Sequence, residues 1–222
     1  MRGPGDTTVE KAIEEALAAA EERGWVQIGP RAGEKVVDLV RELLKWNRVY
    51  NLTAITAPKE VAELHVLDSL AVAPLVAEGE SALDVGTGAG FPGLPVAIVR
   101  PVTRWTLIDR TEKKVAFVKA VAARLGLENV RAVHLRLEGD PEGEGLGRFD
   151  VVVSRAFAAP EVWLPFAAHY VRPGGRVVAM LGAQDADLGV LAAELGVAPE
   201  TLRVIRYELP SGARRGLLVW TR

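Results

Sequence analysis

Between positions 81 and 95 one acid and four glycines share a spacing that can seat a small ligand. Asp84 stands near the end of a short apolar strand, and glycines follow at 86, 88, 90 and 93 before an apolar helix. Glycine lets the backbone approach a ligand closely and take φ > 0 without strain. A strand, a glycine turn and a helix N-terminus together make a cradle for a nucleotide or cofactor. The loop also fits the dinucleotide pattern as Gly88-Ala89-Gly90-Phe91-Pro92-Gly93, which is weak on its own.

Two details point instead to S-adenosylmethionine. The run begins as Asp84-x-Gly86-x-Gly88-x-Gly90, with Thr87 inside it. A carboxylate there can meet the ammonium of a methionine moiety, directly or through water, and sits poorly beside a pyrophosphate. The chain also ends in what reads as an antiparallel strand pair around Pro210-Ser211-Gly212, which suits a class I methyltransferase sheet. Asp109 closes the next strand, where an acid can accept hydrogen bonds from both ribose hydroxyls of either cofactor. Leu137 and Glu138 follow the third strand, at the edge where an adenine would lie. Plainer roles stand beside these. Asp84 can cap the helix after the loop or pair with a lysine, and Asp109 can cap the helix starting at Glu112. His134 and His169 read as structural or surface residues, and the acids of 138–144 as a solvated loop.

These groups need a scaffold, and the periodicity supplies one. Helices are expected over residues 9–23 and 33–50, from Pro58, and over 64–76, so the first eighty residues or so read as a helical extension. From 81 onward strands and helices alternate. Strands are expected at 104–109, 130–135, 149–153 and 176–181, with 173–175 as a turn, and at 201–208 and 215–222. Helices are expected at 91–99, 112–125, 160–171 and 185–195. The prediction is an α/β, Rossmann-like class I fold: a mostly parallel seven-stranded sheet with an antiparallel last strand, residues 81–222, carrying the extension 1–80.

Composition narrows the classes. The chain has 222 residues, enough for one medium domain and an extension, and 49% of them are hydrophobic. Cysteine is absent, which excludes disulfides and cysteine nucleophiles. The three histidines are scattered, so no metal site is expected. No apolar run is long enough to cross a membrane, and the N-terminal stretch has no apolar signal core, so a cytoplasmic protein is expected. A formal net charge of -2 argues mildly against a free-standing nucleic-acid binder, so local patches must carry any such role.

Further segments narrow the reading to one family. They are Lys45-Trp46-Asn47, Tyr50-Asn51-Leu52-Thr53, His65-Val66-Leu67-Asp68-Ser69-Leu70, the loop 84–93, Lys113-Lys114 with Phe117, and Phe149-Asp150 through Ser154-Arg155-Ala156-Phe157-Ala158. With them the sequence resembles the RsmG family, also called glucose-inhibited division protein B: bacterial 16S ribosomal RNA guanine-N7 methyltransferases. The match spans most of residues 45–180. The resemblance implies cofactor contacts at Gly86, Phe91, Leu137, Glu138 and Arg155, in addition to the loop residues Asp84, Thr87, Gly88 and Gly90 and to Asp109. It implies that His65, Asp68 and Ser69 lie close beneath the loop, on the substrate side, and that Arg136 and Arg155 stand near the reacting atoms. The partner it implies is 16S ribosomal RNA in the small ribosomal subunit, bound by a monomer. Asn51, Arg110, Lys113, Arg214 and Arg215 join the RNA side, with Arg100, Arg104 and Lys114 as further basic candidates. Three positions depart from the family pattern: Leu64, Leu181 before Gly182, and Gly216 after Arg214-Arg215.

Guanine N7 carries an in-plane lone pair and no proton, so it can attack a sulfonium methyl directly, and alignment is the main demand. The lack of an evident acid–base pair agrees with that. Arg155 is expected to position the base or contact phosphate or O6. Two alternatives stay open: a methyltransferase of this fold with another RNA, protein or small-molecule substrate, and a non-catalytic cofactor-binding module.

Overall fold

The computed structural model describes residues 4–183 and 187–222. Two long helices open it, α1 (Pro4–Glu22) and α2 (Pro30–Tyr50). Pro30, at the start of α2, takes a position where a missing N–H costs nothing. Val36, Val37, Leu39, Val40 and Leu43 bury one face, and Asn51 ends α2 in a left-handed conformation with φ 48°.

The next helical stretch differs from expectation. A helix at Pro58 and a separate segment over 64–76 are in fact one continuous run to Leu70. It comprises α3 (Pro58–Val61), a π-helical turn (Ala62–Leu67) and α4 (Asp68–Leu70), with a short 3-10 turn at Ala73–Leu75 beyond. The wider π turn re-aims carbonyls that an α-helix would use internally.

The strands are β1 (Ser81–Val85), β2 (Arg104–Asp109), β3 (Val130–His134), β4 (Phe149–Arg155), β5 (Val171–Leu181), β6 (Leu202–Glu208) and β7 (Arg214–Thr221). Among the described residues they form one sheet in the order β3-β2-β1-β4-β5-β7-β6. Neighbours from β3 through β5 are parallel, and β7 is antiparallel to both β5 and β6. The helices between strands are α5 (Gly93–Val99), α6 (Glu112–Arg124), α7 (Pro160–Ala168) and α8 (Leu188–Leu195). This is the expected mostly parallel sheet with an antiparallel last strand.

Both faces are covered, which explains the near-continuous apolar strands. Ala82, Leu107, Val151, Val153 and Val178 face a core shared with α2, α5, α6 and the 58–75 stretch. Leu83, Val85, Ile108, Val152, Val177 and Ala179 face α7 and α8, around Trp163, Leu164 and Tyr170. The alternation is the period of two that a strand imposes.

Several boundaries move, each for a local reason. The helix expected from 91 starts at Gly93, because the Phe91 N–H still turns back to the Thr87 carbonyl at 3.0 Å. The expected turn 173–175 lies inside β5, because Gly174 and Gly175 exchange backbone hydrogen bonds with Arg222. Hence α7 stops at Ala168 and Val171 already pairs with Phe149. The helix expected from 185 begins at Leu188 under an Asp187 cap; its first two expected residues lie outside the described ones. No helix among the described residues is long and apolar enough to cross a membrane.

Candidate active site

Parallel pairing brings the ends of β1, β2, β3 and β4 to one edge, where their loops meet. The glycine loop leaves β1 there. Gly86, Gly88 and Gly90 take φ of 70°, 61° and 87°, the left-handed region that glycine reaches freely. Thr87 N–H donates to the Ile108 carbonyl at 2.9 Å and ties the loop to β2.

Asp84 lies under the loop. It is wholly buried, and its Oδ2 accepts from Thr87 Oγ1 at 2.7 Å and from Gly93 N–H at 2.9 Å. The expected contact to an ammonium is direct or through water; the bonds that Asp84 makes within the protein are those of the capping alternative. Burial pushes the carboxyl up to about 6, against the bonds from Thr87 and Gly93. Its Oδ1 has no hydrogen-bond partner among the described residues. A Cβ at Gly93 would lie 2.9 Å from Asp84 Oδ2 and 2.8 Å from Leu107 Cγ, so the helix can start there only with glycine.

Beyond the loop lies a cleft of about 490 Å³, bounded by Gly86, Ile108, Asp109, Leu135, Leu137, Phe157 and Phe166, with Arg110, Lys114 and Arg136 also lining it. Asp109 accepts from Gly88 N–H at 3.0 Å through Oδ2 and from Thr111 N–H at 2.8 Å through Oδ1, and Lys114 stands 3.8 Å from it. Each carboxylate oxygen has a second lone pair for a ligand. The side chains of Arg136 and Glu138 are exposed and face each other at 3.7 Å. The acidic loop after them is more than a solvated surface: the Tyr170 hydroxyl donates to Glu144, and Gly139 N–H donates back to that hydroxyl at 2.7 Å.

Beneath the loop sits a second cluster. Phe91 stacks on His65, ring centroids 4.9 Å apart, and the Arg155 guanidinium lies 5.7 Å from the Phe91 centroid. Arg155 donates to the Leu64 carbonyl at 2.9 Å and to His65 Nδ1 at 3.3 Å, with Asp68 Oδ2 at 3.7 Å. Arginine only donates, so His65 Nδ1 accepts and its proton sits on Nε2, which faces Thr53 Oγ1 at 2.9 Å. Burial and the neighbouring guanidinium push His65 down to about 4, so the ring is neutral. The Asn47 amide clasps Thr53 from both sides, and Ser69 Oγ donates to the His65 carbonyl. Asp68 Oδ1 accepts from the Tyr207 hydroxyl at 2.8 Å, with Arg215 Nε at 3.6 Å. Burial raises Asp68; Arg155, Tyr207 and Arg215 oppose it.

The structure therefore brings His65, Asp68, Ser69 and Arg155 together against Phe91. Two of the five Arg155 donors meet protein acceptors, the Leu64 carbonyl and His65 Nδ1, and its side chain is partly exposed. The basic candidates separate. Arg110, Lys113 and Lys114 lie at the cleft end, and Lys113 Nζ donates to the Tyr50 carbonyl at 3.0 Å. Arg104 opens β2 and Arg100 ends α5, at the opposite edge of the sheet, so neither reaches the cleft. Arg214 is exposed at the start of β7, and Asn51 serves as the turn ending α2. The sequence reading missed Phe157, which is 46% exposed in the cleft and packs on Trp163 and Phe166. It also missed Tyr207 and Ala156, a non-glycine at φ 53° that turns the chain sharply after β4. An exposed aromatic just past a buried strand was the available signal.

Comparison with known proteins follows the same lines. The GidB family model, described as rRNA small subunit methyltransferase G, matches residues 32–197. The ribosomal RNA small subunit methyltransferase G of Myxococcus xanthus (strain DK1622) is 50% identical over 213 residues, covering 95% of this chain and 97% of that one. The protein of the same name from Anaeromyxobacter sp. (strain Fw109-5) is 47% identical over 215 residues, covering 94% and 99%. Among solved structures, a SAM dependent methyltransferase from Aquifex aeolicus matches with a TM-score of 0.56 at 20% identity, over 78% of this chain and 97% of that one. At that identity the likeness concerns the fold alone.

Proposed function

The chain belongs to the rRNA small subunit methyltransferase G family, and from that premise we propose that it methylates N7 of a guanine in 16S ribosomal RNA, with S-adenosylmethionine as donor. The observation that carries the reading is the cleft itself. Its floor is a glycine loop at positive φ that is crowded at two of its glycines: a Cβ on Gly86 would lie 3.0 Å from the Phe157 ring, and one on Gly90 would overlap the Leu94 side chain. The Asp109 carboxylate offers spare lone pairs to a diol, and Ile108, Leu135 and Leu137 form an apolar wall suited to a flat ring. That donor set fits S-adenosylmethionine, held by the Gly86–Gly90 backbone, Asp109 and the apolar wall.

Bound there, the cofactor supplies an electrophilic methyl group. The protein must align an acceptor with it, and N7 needs no base to remove a proton. The chain's residues agree with that division of labour. His65 is neutral with both ring nitrogens engaged, and Asp84 is sealed beneath the loop. Both are scaffold and neither moves a proton. Phe157 presents an exposed ring at the cleft mouth, on which a purine can stack. Arg110 and Lys113, at the same edge, suit RNA phosphates, which fix register without reading sequence.

The test uses small ribosomal subunits from cells lacking this protein, incubated with it and methyl-labelled S-adenosylmethionine. Label recovered as 7-methylguanine at one 16S position supports the reading. Label on another atom, or none, overturns it.

A further inference from the structure

The last hairpin reaches the site from the far end of the chain, and its contacts divide into two kinds. One kind docks the hairpin. Ser211 N–H donates to Glu63 Oε1 at 2.9 Å, Arg23 reaches the Glu208 carbonyl at 3.3 Å, and the Tyr207 ring meets Trp25 edge-on at 5.2 Å. The other kind is a line of polar contacts running inward. The Tyr207 hydroxyl holds one oxygen of Asp68 at 2.8 Å, the other oxygen faces Arg155 at 3.7 Å, and Arg155 covers Phe91. Phe91 directly follows Gly90, and its N–H closes the cradle on the Thr87 carbonyl.

We infer that Tyr207 is a positioning residue for the cofactor cradle: through Asp68 its hydroxyl sets the Arg155 guanidinium on Phe91 and so holds the loop in shape. The geometry requires the hydroxyl specifically. Asp68 is 5% exposed, and a buried carboxylate keeps a fixed orientation only while its oxygens have donors. Without the hydroxyl, the carboxylate keeps only two long ion pairs among the described residues, Oδ1 to Arg215 at 3.6 Å and Oδ2 to Arg155 at 3.7 Å, both beyond hydrogen-bond range. The carboxylate is then free to turn, and Arg155, though still bonded to the Leu64 carbonyl at 2.9 Å and to His65 Nδ1 at 3.3 Å, loses the fixed charge beside it. Ring packing on Trp25 and the Ser211–Glu63 bond do not involve the hydroxyl, so docking of the hairpin is a separate matter. The inference rests on the reading of the loop as the cofactor seat.

The test is Tyr207→Phe, which keeps the ring and removes the oxygen. Two readouts are taken: amide hydrogen exchange over residues 86–93 in cofactor-free protein, and S-adenosylmethionine affinity by calorimetry. Exchange at 88–91 is expected to accelerate, and affinity to fall about tenfold, as for loss of a hydrogen bond to a charged group, with the thermal midpoint lowered by a few degrees for the same lost bond. Asp68→Asn should act in the same direction, and the double variant should be no worse than Asp68→Asn alone, the mark of one shared path. Unchanged loop exchange in Tyr207→Phe overturns the inference, as does full additivity of the two variants. If the wild-type chain binds no S-adenosylmethionine, the cofactor reading fails, while the exchange measurement still decides the role of Tyr207.

Discussion

The cradle and the Arg155 cluster meet at one ring, Phe91, yet they are built by opposite means. The cradle is local and made mostly of backbone. Its parts lie between Asp84 and Asp109, and its shape follows from glycines at positive φ and carboxylates that accept main-chain N–H groups. The cluster is made of side chains drawn from α2, the π turn, the end of β4 and the last hairpin. A local backbone device tolerates change around it and fails when a Cβ is added. A distributed polar cluster fails when any one partner leaves its neighbours buried and unpaired.

The largest effect should come from removing the partner with the most contacts. Arg155→Ala leaves Asp68, His65 Nδ1 and the Leu64 carbonyl without their shared donor, and is expected to cost roughly 3–5 kcal/mol by urea unfolding. Arg155→Lys should recover only part of it, because one ammonium cannot span those acceptors. A loss below about 1 kcal/mol would mean that the cluster is not a unit.

The two regions should next separate by pH. His65 has its folded value near 4, below the usual 6.5, so its contribution is complete above pH 6.5 and lost as pH falls through about 4. Asp84 is the reverse. Its folded value near 6 lies above the usual 3.8, so its contribution is complete below pH 3.8 and lost as pH rises through about 6. Each is worth on the order of 3 kcal/mol. Thermal midpoints from pH 3.5 to 7.5 should show His65→Gln flattening the acid loss and Asp84→Asn changing the slope in the opposite direction. Equal slopes in the two variants would erase the distinction.

Gly93→Ala should cost about 1–3 kcal/mol through overpacking against Leu107 and Asp84, and should weaken S-adenosylmethionine binding in calorimetry. Retained affinity would show that the helix start does not shape the seat. The smallest effect is electrostatic. Arg110→Ala or Lys113→Ala should each lower the slope of log RNA affinity against log salt by about one. An unchanged slope would remove that residue from the RNA face.

How much was legible follows the same division. The mostly parallel sheet with its antiparallel last strand was readable because continuous apolar runs demand cover on both faces, and a short last connection demands antiparallel pairing. Asp109 at the cleft floor was readable because its neighbours in space are its neighbours along β1 and β2. The inward commitment of Arg155 was not, since its acceptors lie about ninety residues away and two of them belong to a π turn. Tyr207 gave no local sign, because a tyrosine on an edge strand is ordinary until its hydroxyl meets a buried acid. Asp84 showed both possible roles in the sequence, and only packing shows that Thr87 and Gly93 are its partners in the protein.

Sequence by itself determined the sheet, the glycine cradle and the family, because periodicity, φ freedom and short-range spacing are properties of neighbouring residues. Only the tertiary structure decided which partners Asp84 takes in the protein, what Arg155 grips and how the last hairpin is wired to Phe91. Those are questions of where buried charges find partners, and a buried charge is satisfied by whatever the fold brings within about 3 Å, however far away it stands along the chain.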